Sequence, residues 1–165
     1  MIYLQLLGIL AVFASVFYFL GLYRGAIFVP THMDIVQKMI TAAQIRPGEK
    51  LADLGSGDGR IVIAAAKAGA YAVGFEINPL LVLWSRYKIR RAGVQDRARV
   101  FWKSFWNQSY SDCDVIIVFG IEHIMKRLEN KLQSETNAGT RVISYIFSFP
   151  SWQGKAKEGI YIYQR

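Results

Sequence analysis

The residues with the clearest chemical meaning surround one glycine-rich segment, which runs from Asp53 to Arg60 and reads Asp-Leu-Gly-Ser-Gly-Asp-Gly-Arg. Its glycines permit a sharp turn in which no Cβ separates the backbone from a ligand. The free N–H groups at the start of a following helix favour a carboxylate or another anion. Because glycine spacing alone is a weak signal, the neighbouring acidic residues decide which ligand this segment predicts.

Two carboxylates accompany the glycines. Asp53 precedes Gly55 by two positions, where it suits an ammonium group and would repel a pyrophosphate. Glu76 follows 23 residues after Asp53, at the end of the next predicted strand, and its oxygens can accept both hydroxyls of a ribose. If only one of these acids were present, it would more often be an ordinary surface carboxylate than a ligand contact. Together they predict a ligand with ribose, ammonium and carboxylate but no phosphate, namely S-adenosylmethionine (SAM), and they disfavour a dehydrogenase.

The residues after each acid complete the predicted cofactor site. Asn78 and Pro79 fix a turn beneath the ribose and start the next helix. Asp58 is either a cofactor contact or only a cap on the helix that begins at Arg60. The predicted cofactor residues from this part of the chain are Asp53, Gly55, Ser56, Gly57, Asp58, Gly59, Glu76, Asn78 and Pro79.

Strands and helices alternate in the residues that must position these groups. Predicted strands cover 50–54, 71–75, 97–102, 114–119 and 140–149, and predicted helices cover 60–68, 79–92 and 121–134. A last strand over 160–163 returns as an antiparallel edge. This order is typical of an α/β domain with a doubly wound, mostly parallel, Rossmann-like sheet and a compact C-terminal part.

A further helix is predicted before the first strand. Thr31 and Asp34 have the types and spacing of residues that satisfy free N–H groups at a helix start. The apolar residues of this helix recur at helical spacing and are Met33, Val36, Met39, Ile40 and Ala43.

The N-terminus predicts a transmembrane anchor over residues 1–23. No charged residue occurs from Ile2 to Tyr23, and a helix of about 20 apolar residues crosses the hydrocarbon core. A cleavable signal peptide would carry a basic start, and a buried core helix would keep a polar stripe. We therefore expect an anchor at 1–23, a connector and covering helix at 24–49, and a SAM-binding domain at 50–165.

Charge indicates the orientation and the partners of the chain. All charged residues follow position 23, the net charge is +8, and the single Cys113 fits a reducing compartment. Basic residues on the C-terminal side predict a single-pass protein whose catalytic domain lies on the cytoplasmic side, where SAM is available. The excess charge favours an anionic lipid bilayer. The basic run of residues 86–99 is either part of that contact or only a solvated face.

The chain resembles the class I methyltransferases and, more narrowly, the small membrane-anchored protein-lysine methyltransferases, whose eukaryotic members modify the ATP synthase c-subunit and the adenine nucleotide translocase. The motifs that carry the resemblance lie at residues 29–31 (Val-Pro-Thr), 54–65, 74–79 (Gly-Phe-Glu-Ile-Asn-Pro), 118–120, 128–132 and 147–150 (Phe-Ser-Phe-Pro). The resemblance implies methyl transfer to a lysine of another membrane protein. It also implies that Asp53, Gly55, Gly57 and Glu76 hold SAM.

The resemblance further implies that Pro30 and Thr31 belong to a segment covering the reaction site, so Thr31 is a helix cap, a site residue or both. Two departures from the family pattern matter. Many class I enzymes carry an acidic residue for the adenine amine after the third strand, where this chain has Lys103-Ser104-Phe105-Trp106. Ser104, with backbone groups and an aromatic wall, is the replacement we expect. The C-terminal part is also short by at least one helix.

The acceptor must present a neutral amine, although a lysine pKa near 10.4 leaves it mostly protonated at pH 7. The segment after the fourth strand, Phe119, Gly120, Ile121, Glu122 and His123, should open beside the methyl group, and Phe119 is a further predicted cofactor contact. Glu122 or His123 could orient or deprotonate the amine, or each could be an ordinary polar residue of the first helical turn. The Asn-Pro-Pro-aromatic motif of amino-methylating nucleic-acid enzymes is absent here, and neither nucleic acid nor a metal is expected.

Two other functions remain open from the sequence. An anchored methyltransferase could equally reach a lipid or a quinone. A membrane module that only senses SAM would bind the cofactor without turnover.

Overall fold

The computed structural model describes residues 30–165 together with residues 3, 5, 8, 9 and 12. Apart from those five positions, the predicted anchor lies outside the described residues, as do residues 24–29 of the predicted connector. Within the described residues, no helix combines the length and the apolar composition that crossing a bilayer requires.

Helices and strands alternate along the described chain. The helices are α1 (Met33–Ala43), α2 (Arg60–Lys67), α3 (Pro79–Arg91) and α4 (Glu122–Glu135). The strands are β1 (Lys50–Leu54), β2 (Tyr71–Glu76), β3 (Ala98–Trp102), β4 (Val115–Val118), β5 (Arg141–Tyr145), β6 (Lys155–Lys157) and β7 (Ile160–Gln164). One 3₁₀ turn, Phe105–Asn107, lies between β3 and β4.

The seven strands form one sheet in the order β3-β2-β1-β4-β5-β7-β6. The first five pair in parallel, and β7 returns antiparallel to β5. The antiparallel return of β7 is confirmed, but its predicted place at the edge is wrong because β6 pairs along its outer side. The sequence gives little sign of β6, whose three residues are all exposed and are lysine, alanine and lysine.

Helices cover both faces of the sheet, which confirms the doubly wound prediction. One core contains Val36 and Met39 of α1 together with Val62 of α2 and the inner side of α3. The other core contains Leu128 and Leu132 of α4. Of the helices in residues 30–165, α4 alone packs on this second core. Aromatic side chains complete it, and they include Tyr110, Phe149, Tyr163 and the partly buried Phe105, Trp106, Phe147 and Trp152.

The start of α1 differs from its prediction. The N-cap is His32, no side chain of residues 30–165 makes a capping hydrogen bond there, and the backbone N–H of Val36 donates to the His32 carbonyl. The predicted capping role of Thr31 is therefore wrong. Met33, expected in the core, is 53% exposed because it lies on the outer side of the first turn.

The other element boundaries agree with the prediction to within one residue, except at β5. The prediction extended β5 to Phe149, whereas the strand ends at Tyr145. Ile146 turns the chain with a φ of 70°, and the Ser144 hydroxyl donates to the Phe147 carbonyl at 2.6 Å. Phe147 and Phe149 leave the sheet and cover the second core, so their apolar character reflects burial rather than strand pairing.

Candidate functional site

The candidate site lies where the strand order changes direction. β1 is flanked by β2 on one side and by β4 on the other, although β2 and β4 are not consecutive in the chain. Such a switch point opens a crevice at the carboxyl ends of the strands, because the segments leaving the neighbouring strands diverge. The glycine-rich segment follows β1 at this point.

Backbone geometry makes the glycine-rich segment a cradle. The N–H groups of Gly55 and Ser56 both donate to the Phe75 carbonyl at 3.0 Å, which joins the turn to the end of β2. Gly55 has a φ of 81°, a conformation that side chains other than glycine rarely adopt. A Cβ at Gly55 would meet no atom within 4 Å, so the backbone borders open space in which a ligand could lie.

Glu76 is fixed against this cradle by two backbone donors. One carboxylate oxygen accepts from the N–H of Gly57 at 3.0 Å, and the other accepts from the N–H of Asn78 at 2.8 Å. The side chain is buried, and each oxygen retains a free lone pair. Glu76 is therefore held rigidly with acceptor capacity for the two hydroxyls of a ribose.

Asp53 is the anomalous group of the site. It is buried at the end of β1, and its Oδ2 has no hydrogen-bond partner within residues 30–165. Burial, followed by the charges of Glu76 and Asp58, raises the pKa of Asp53 to about 8. A buried carboxyl without a partner is costly, so an incoming cation that pairs with it would relieve that cost. This fits the ammonium group for which the sequence indicated Asp53.

Ser56 repeats this pattern beside Asp53. Its hydroxyl is buried and has no partner in the described part of the chain, and it lies against Gly74, where an added Cβ would stand only 2.5 Å from the hydroxyl oxygen. Two buried polar atoms within four residues are thus unsatisfied among the described residues, although the Ser56 hydroxyl lies beside atoms of β2 and α2 rather than at the open backbone of Gly55.

Asp58 is engaged by two cations. It accepts from Arg60 Nε at 2.8 Å and Nη2 at 2.7 Å, and from Lys88 Nζ at 2.8 Å. Burial opposes ionisation, but the bonds from Arg60 and Lys88 outweigh it and lower the pKa of Asp58 to about 2. The alternative role as a helix cap is wrong, because Gly59 is the N-cap of α2 and the Asp58 side chain makes no capping hydrogen bond there. Its role toward a cofactor stays a prediction.

Asn78 and Pro79 start α3 as predicted. Asn78 is the N-cap, its Oδ1 accepts from the N–H groups of Leu80 at 3.0 Å and Leu81 at 3.4 Å, and Pro79 follows in the first turn. Ser85, which sequence reasoning missed, supports the cradle from the same helix. Its buried hydroxyl lies 2.8 Å from the Gly57 carbonyl.

The segment before α1 lies against the glycine-rich turn. The Thr31 carbonyl accepts a hydrogen bond from the Nη1 group of Arg60, whose other nitrogens bind Asp58. Thr31 is buried and Pro30 is exposed. Arg60 therefore joins residues 30–31 to the cradle, a link that the sequence did not reveal because the partners are 29 positions apart.

The segment after β3 is aromatic. Ser104 is half-buried, and its hydroxyl accepts from the N–H of Trp106 at 3.4 Å, which caps the 3₁₀ turn. Trp102 donates its indole N–H to the Ile77 carbonyl at 2.9 Å and stays 64% exposed. An adenine contact of Ser104 remains a prediction, since the hydroxyl already serves this local cap.

The segment after β4 holds the remaining predicted residues. Phe119 packs against Tyr145 with ring centroids 5.4 Å apart. Glu122 and His123 occupy the first turn of α4, and both are exposed. Because β4 pairs with β1, this segment leaves the sheet beside the cradle. Glu122 and His123 are accessible to a substrate, and no hydrogen bond from residues 30–165 orients either side chain.

The strand order, the glycine-rich cradle and the fixed Glu76 together define the class I methyltransferase fold. A solved structure of an RNA methyltransferase from Salinibacter ruber, in complex with S-adenosyl-L-homocysteine, superposes with a TM-score of 0.76. It is 34% identical to this chain, and the match covers 82% of this chain and 91% of the other.

The family is narrower than the fold. The family model of the ANTKMT methyltransferase domain matches residues 53–156, and the chain belongs to this family. The ATP synthase c-subunit lysine N-methyltransferase of Rattus norvegicus is 45% identical over 125 residues, which are 76% of this chain and 57% of the rat protein. A protein-lysine N-methyltransferase of Saccharolobus islandicus is 35% identical over 130 residues, covering 78% of this chain and 81% of that protein.

These matches confirm the resemblance drawn from the sequence. The chain spans about half the length of the mammalian relatives, from 50% to 57% of the rat, mouse and human proteins.

Proposed function

We propose that this protein is a SAM-dependent protein-lysine N-methyltransferase that acts on a membrane protein. The observation that carries the proposal is the carboxylate of Glu76, fixed by backbone donors, beside the buried Asp53, whose Oδ2 has no partner among residues 30–165, in a chain similar to lysine methyltransferases. The rat relative is named for a lysine of the ATP synthase c-subunit, which supports a membrane protein as the substrate class.

The residues of the cradle divide the recognition of SAM among them. Glu76 receives the ribose hydroxyls, and Asp53 pairs with the ammonium group of the amino-acid part. The open backbone at Gly55 gives that part room, and Ser104 with the aromatic residues after β3 borders the adenine. Bound SAM supplies a sulfonium methyl group, which needs an in-line nucleophile and little covalent assistance.

The acceptor amine must lose a proton before it attacks. Glu122 and His123, both accessible in the first turn of α4, are the candidates for orienting the amine or receiving its proton. Pro30 and Thr31, tied to the cradle through Arg60, cover the reaction site and limit the access of water. The variants Glu122→Gln and His123→Gln distinguish the two candidates. The residue that acts on the amine is the one whose replacement lowers kcat while the dissociation constant for SAM stays unchanged.

The membrane assignment rests on the sequence of residues 1–23. We propose a single-pass anchor there and a connector over 24–49, with the SAM-binding domain of residues 50–165 on the cytoplasmic side. The apolar run without charge, followed by basic residues, supports this arrangement. Protease digestion of sealed vesicles that contain the full chain tests it, since the domain is cleaved only when it faces outward.

Methyl transfer can be tested directly on membranes. Membranes that lack the enzyme are incubated with purified full-length protein and SAM labelled at the methyl group. We expect label on a protein band, and acid hydrolysis of that band should yield methylated lysine. Label in the organic extract would instead indicate a lipid or quinone substrate. SAM binding by calorimetry without any transfer would indicate a sensing module.

RNA is the second substrate class to test, because the Salinibacter protein is described as an RNA methyltransferase. The sequence after β4 argues against it, since Phe119-Gly120-Ile121-Glu122 stands where amino-methylating nucleic-acid enzymes have Asn-Pro-Pro-aromatic. The same incubation with total RNA in place of membranes decides the question. Label in RNA and none in protein would overturn the lysine assignment.

A further inference from the structure

Helix α3 carries an apolar stripe that no described residue covers. Leu80, Leu83, Trp84 and Tyr87 are 66%, 62%, 52% and 47% exposed. Their spacing of three, four and seven positions places them on one helical face. Trp84 and Tyr87 stack with ring centroids 5.3 Å apart.

This stripe points away from the protein core. The buried residues of α3 are Val82, Ser85 and Ile89, which occupy the opposite side of the helix. α3 therefore has two apolar faces, and within residues 30–165 only the inner one packs into a core. Exposed Ile77 and Trp102 extend the outer face at the start of the helix, where the Trp102 indole donates to the Ile77 carbonyl. We name the six exposed residues 77, 80, 83, 84, 87 and 102 the α3 ridge.

Arginines border the α3 ridge. Arg90, Arg91 and Arg99 take part in no ion pair among residues 30–165. A groove of about 240 Å³ runs between α3 and β3, and its cationic lining comes from Arg86, Arg90 and Arg99. Large apolar side chains beside unpaired cations match the two layers of an anionic bilayer surface, where acyl chains lie beneath phosphates.

We propose that the α3 ridge docks on an anionic bilayer, with its apolar side chains in the interfacial layer and the bordering arginines on lipid phosphates. Tryptophan and tyrosine favour this layer because each has an apolar ring and a polar group. A second copy of the chain fits less well. A two-fold contact through this face would bring together two copies of the same basic patch, so its arginines would gain no anionic partner.

Docking would orient the candidate site. α3 begins directly after Asn78, whose N–H is bound by Glu76, so the ridge adjoins the crevice at the carboxyl ends of the strands. A docked ridge holds that crevice at the membrane surface and fixes its angle to the bilayer. This inference concerns the surface of α3 and does not depend on which group is methylated.

The test places a fluorescent label at single positions of the full-length protein in phospholipid vesicles. Leu83→Cys labels the ridge, and Asn130→Cys, exposed on α4 over the other face of the sheet, is the matched control. Both carry Cys113→Ser, which removes the single native thiol. Because the readout is local to the label, it does not depend on how residues 1–29 meet the bilayer.

Quenching by brominated lipids reports the depth of the label. The anionic vesicles contain phosphatidylglycerol and phosphatidylcholine in a ratio of about three to seven. In these vesicles the label at 83 should be quenched and the label at 130 should not. Pure phosphatidylcholine should leave both labels unquenched. Replacing Arg90 and Arg91 by glutamine should lower the docked-to-free ratio on the order of 20- to 30-fold, since each arginine contributes about fivefold near an anionic surface.

Two results would overturn docking. One is a label at 83 that is quenched no more in anionic than in neutral vesicles, while thermal unfolding shows the variant to be folded. The other is shielding of that label without lipid that increases with protein concentration, which would assign the ridge to a second copy.

Discussion

Glu76 accepts a hydrogen bond of 3.0 Å from the backbone N–H of Gly57, so the carboxylate that ends β2 is fixed to the turn that follows β1. The second oxygen is held by Asn78 at 2.8 Å. Neither bond uses a side chain of the cradle, which leaves the glycine turn free of bulk. One acid thus shapes the turn and presents acceptors to a ligand.

Glu76→Gln should weaken SAM binding about 10- to 100-fold, because the amide loses one charged acceptor and turns an NH₂ group toward a backbone N–H. Isothermal titration calorimetry measures the effect. Glu158→Gln, an exposed acid at the turn between β6 and β7, makes the same chemical change away from the site and should leave the affinity unchanged. Equal affinities for wild type and Glu76→Gln would contradict the assigned role of Glu76.

Asp53→Asn should stabilise the ligand-free protein, and by more at high pH. The folded pKa of about 8 lies above the ordinary value of 3.8, so between these values the folded state keeps a proton that the unfolded chain releases. The free energy of unfolding of the wild type therefore falls as pH rises through this window. Asparagine cannot ionise, and the melting-temperature difference between variant and wild type should grow from pH 5 to pH 8.5.

The control for this comparison is Asp96→Asn, which alters an exposed carboxylate. Its melting temperature should follow that of the wild type across the range. The Asp53→Asn variant should also lose most of its affinity for SAM, since the ammonium group loses its partner. A pH-independent difference between Asp53→Asn and wild type would show that Asp53 ionises normally.

Arg60→Met should release the segment before α1, whereas Lys88→Met should not. Both variants remove one cation from Asp58, and each should lower the free energy of unfolding by about 1–3 kcal/mol. Only Arg60 also binds the Thr31 carbonyl. Amide exchange measured by mass spectrometry should therefore accelerate in residues 30–36 of Arg60→Met alone, and equal acceleration in both variants would refute the link.

Features that depend on neighbours along the chain were predictable from the sequence. Parallel strands alternate with helices at regular spacing, so the positions of Asp53 and Glu76 at strand ends followed from local patterns. The N-terminal cap of α3 was also predictable from local sequence, because Asn78 and Pro79 act within one turn of the helix. That Asp53 and Glu76 lie at one crevice was predictable from the rule that the carboxyl ends of parallel strands meet at one edge of the sheet.

Features that depend on distant partners were not predictable. Lys88 reaches Asp58 across 30 positions, and Arg60 reaches Thr31 across 29, so no local pattern distinguishes them from solvated cations. Thr31 resembled a cap by spacing, yet its carbonyl is held by that arginine instead. The exposed stripe of α3 was hidden for a different reason, since apolar residues on both sides of a helix predict burial all round.

Ile146 marks the point at which the prediction of β5 failed, and it supplies the last test. Its φ of 70° is rare for a β-branched residue and costs on the order of 1–3 kcal/mol. The turn is imposed by its N–H, which donates to the Gly159 carbonyl at 2.8 Å, and by the bond from Ser144 to Phe147. Because the side chain is already 47% exposed, its replacement forfeits only part of the burial that an isoleucine can have.

Ile146→Asn should therefore raise the free energy of unfolding by about 0.5–1.5 kcal/mol, since asparagine tolerates the left-handed region. Chemical denaturation measures this gain. The matched control is Ile77→Asn, which changes an isoleucine that is 39% exposed and has an ordinary φ, and it should give no gain. A loss of stability in Ile146→Asn would mean that the side chain contributes more to packing on the surface than the backbone conformation costs.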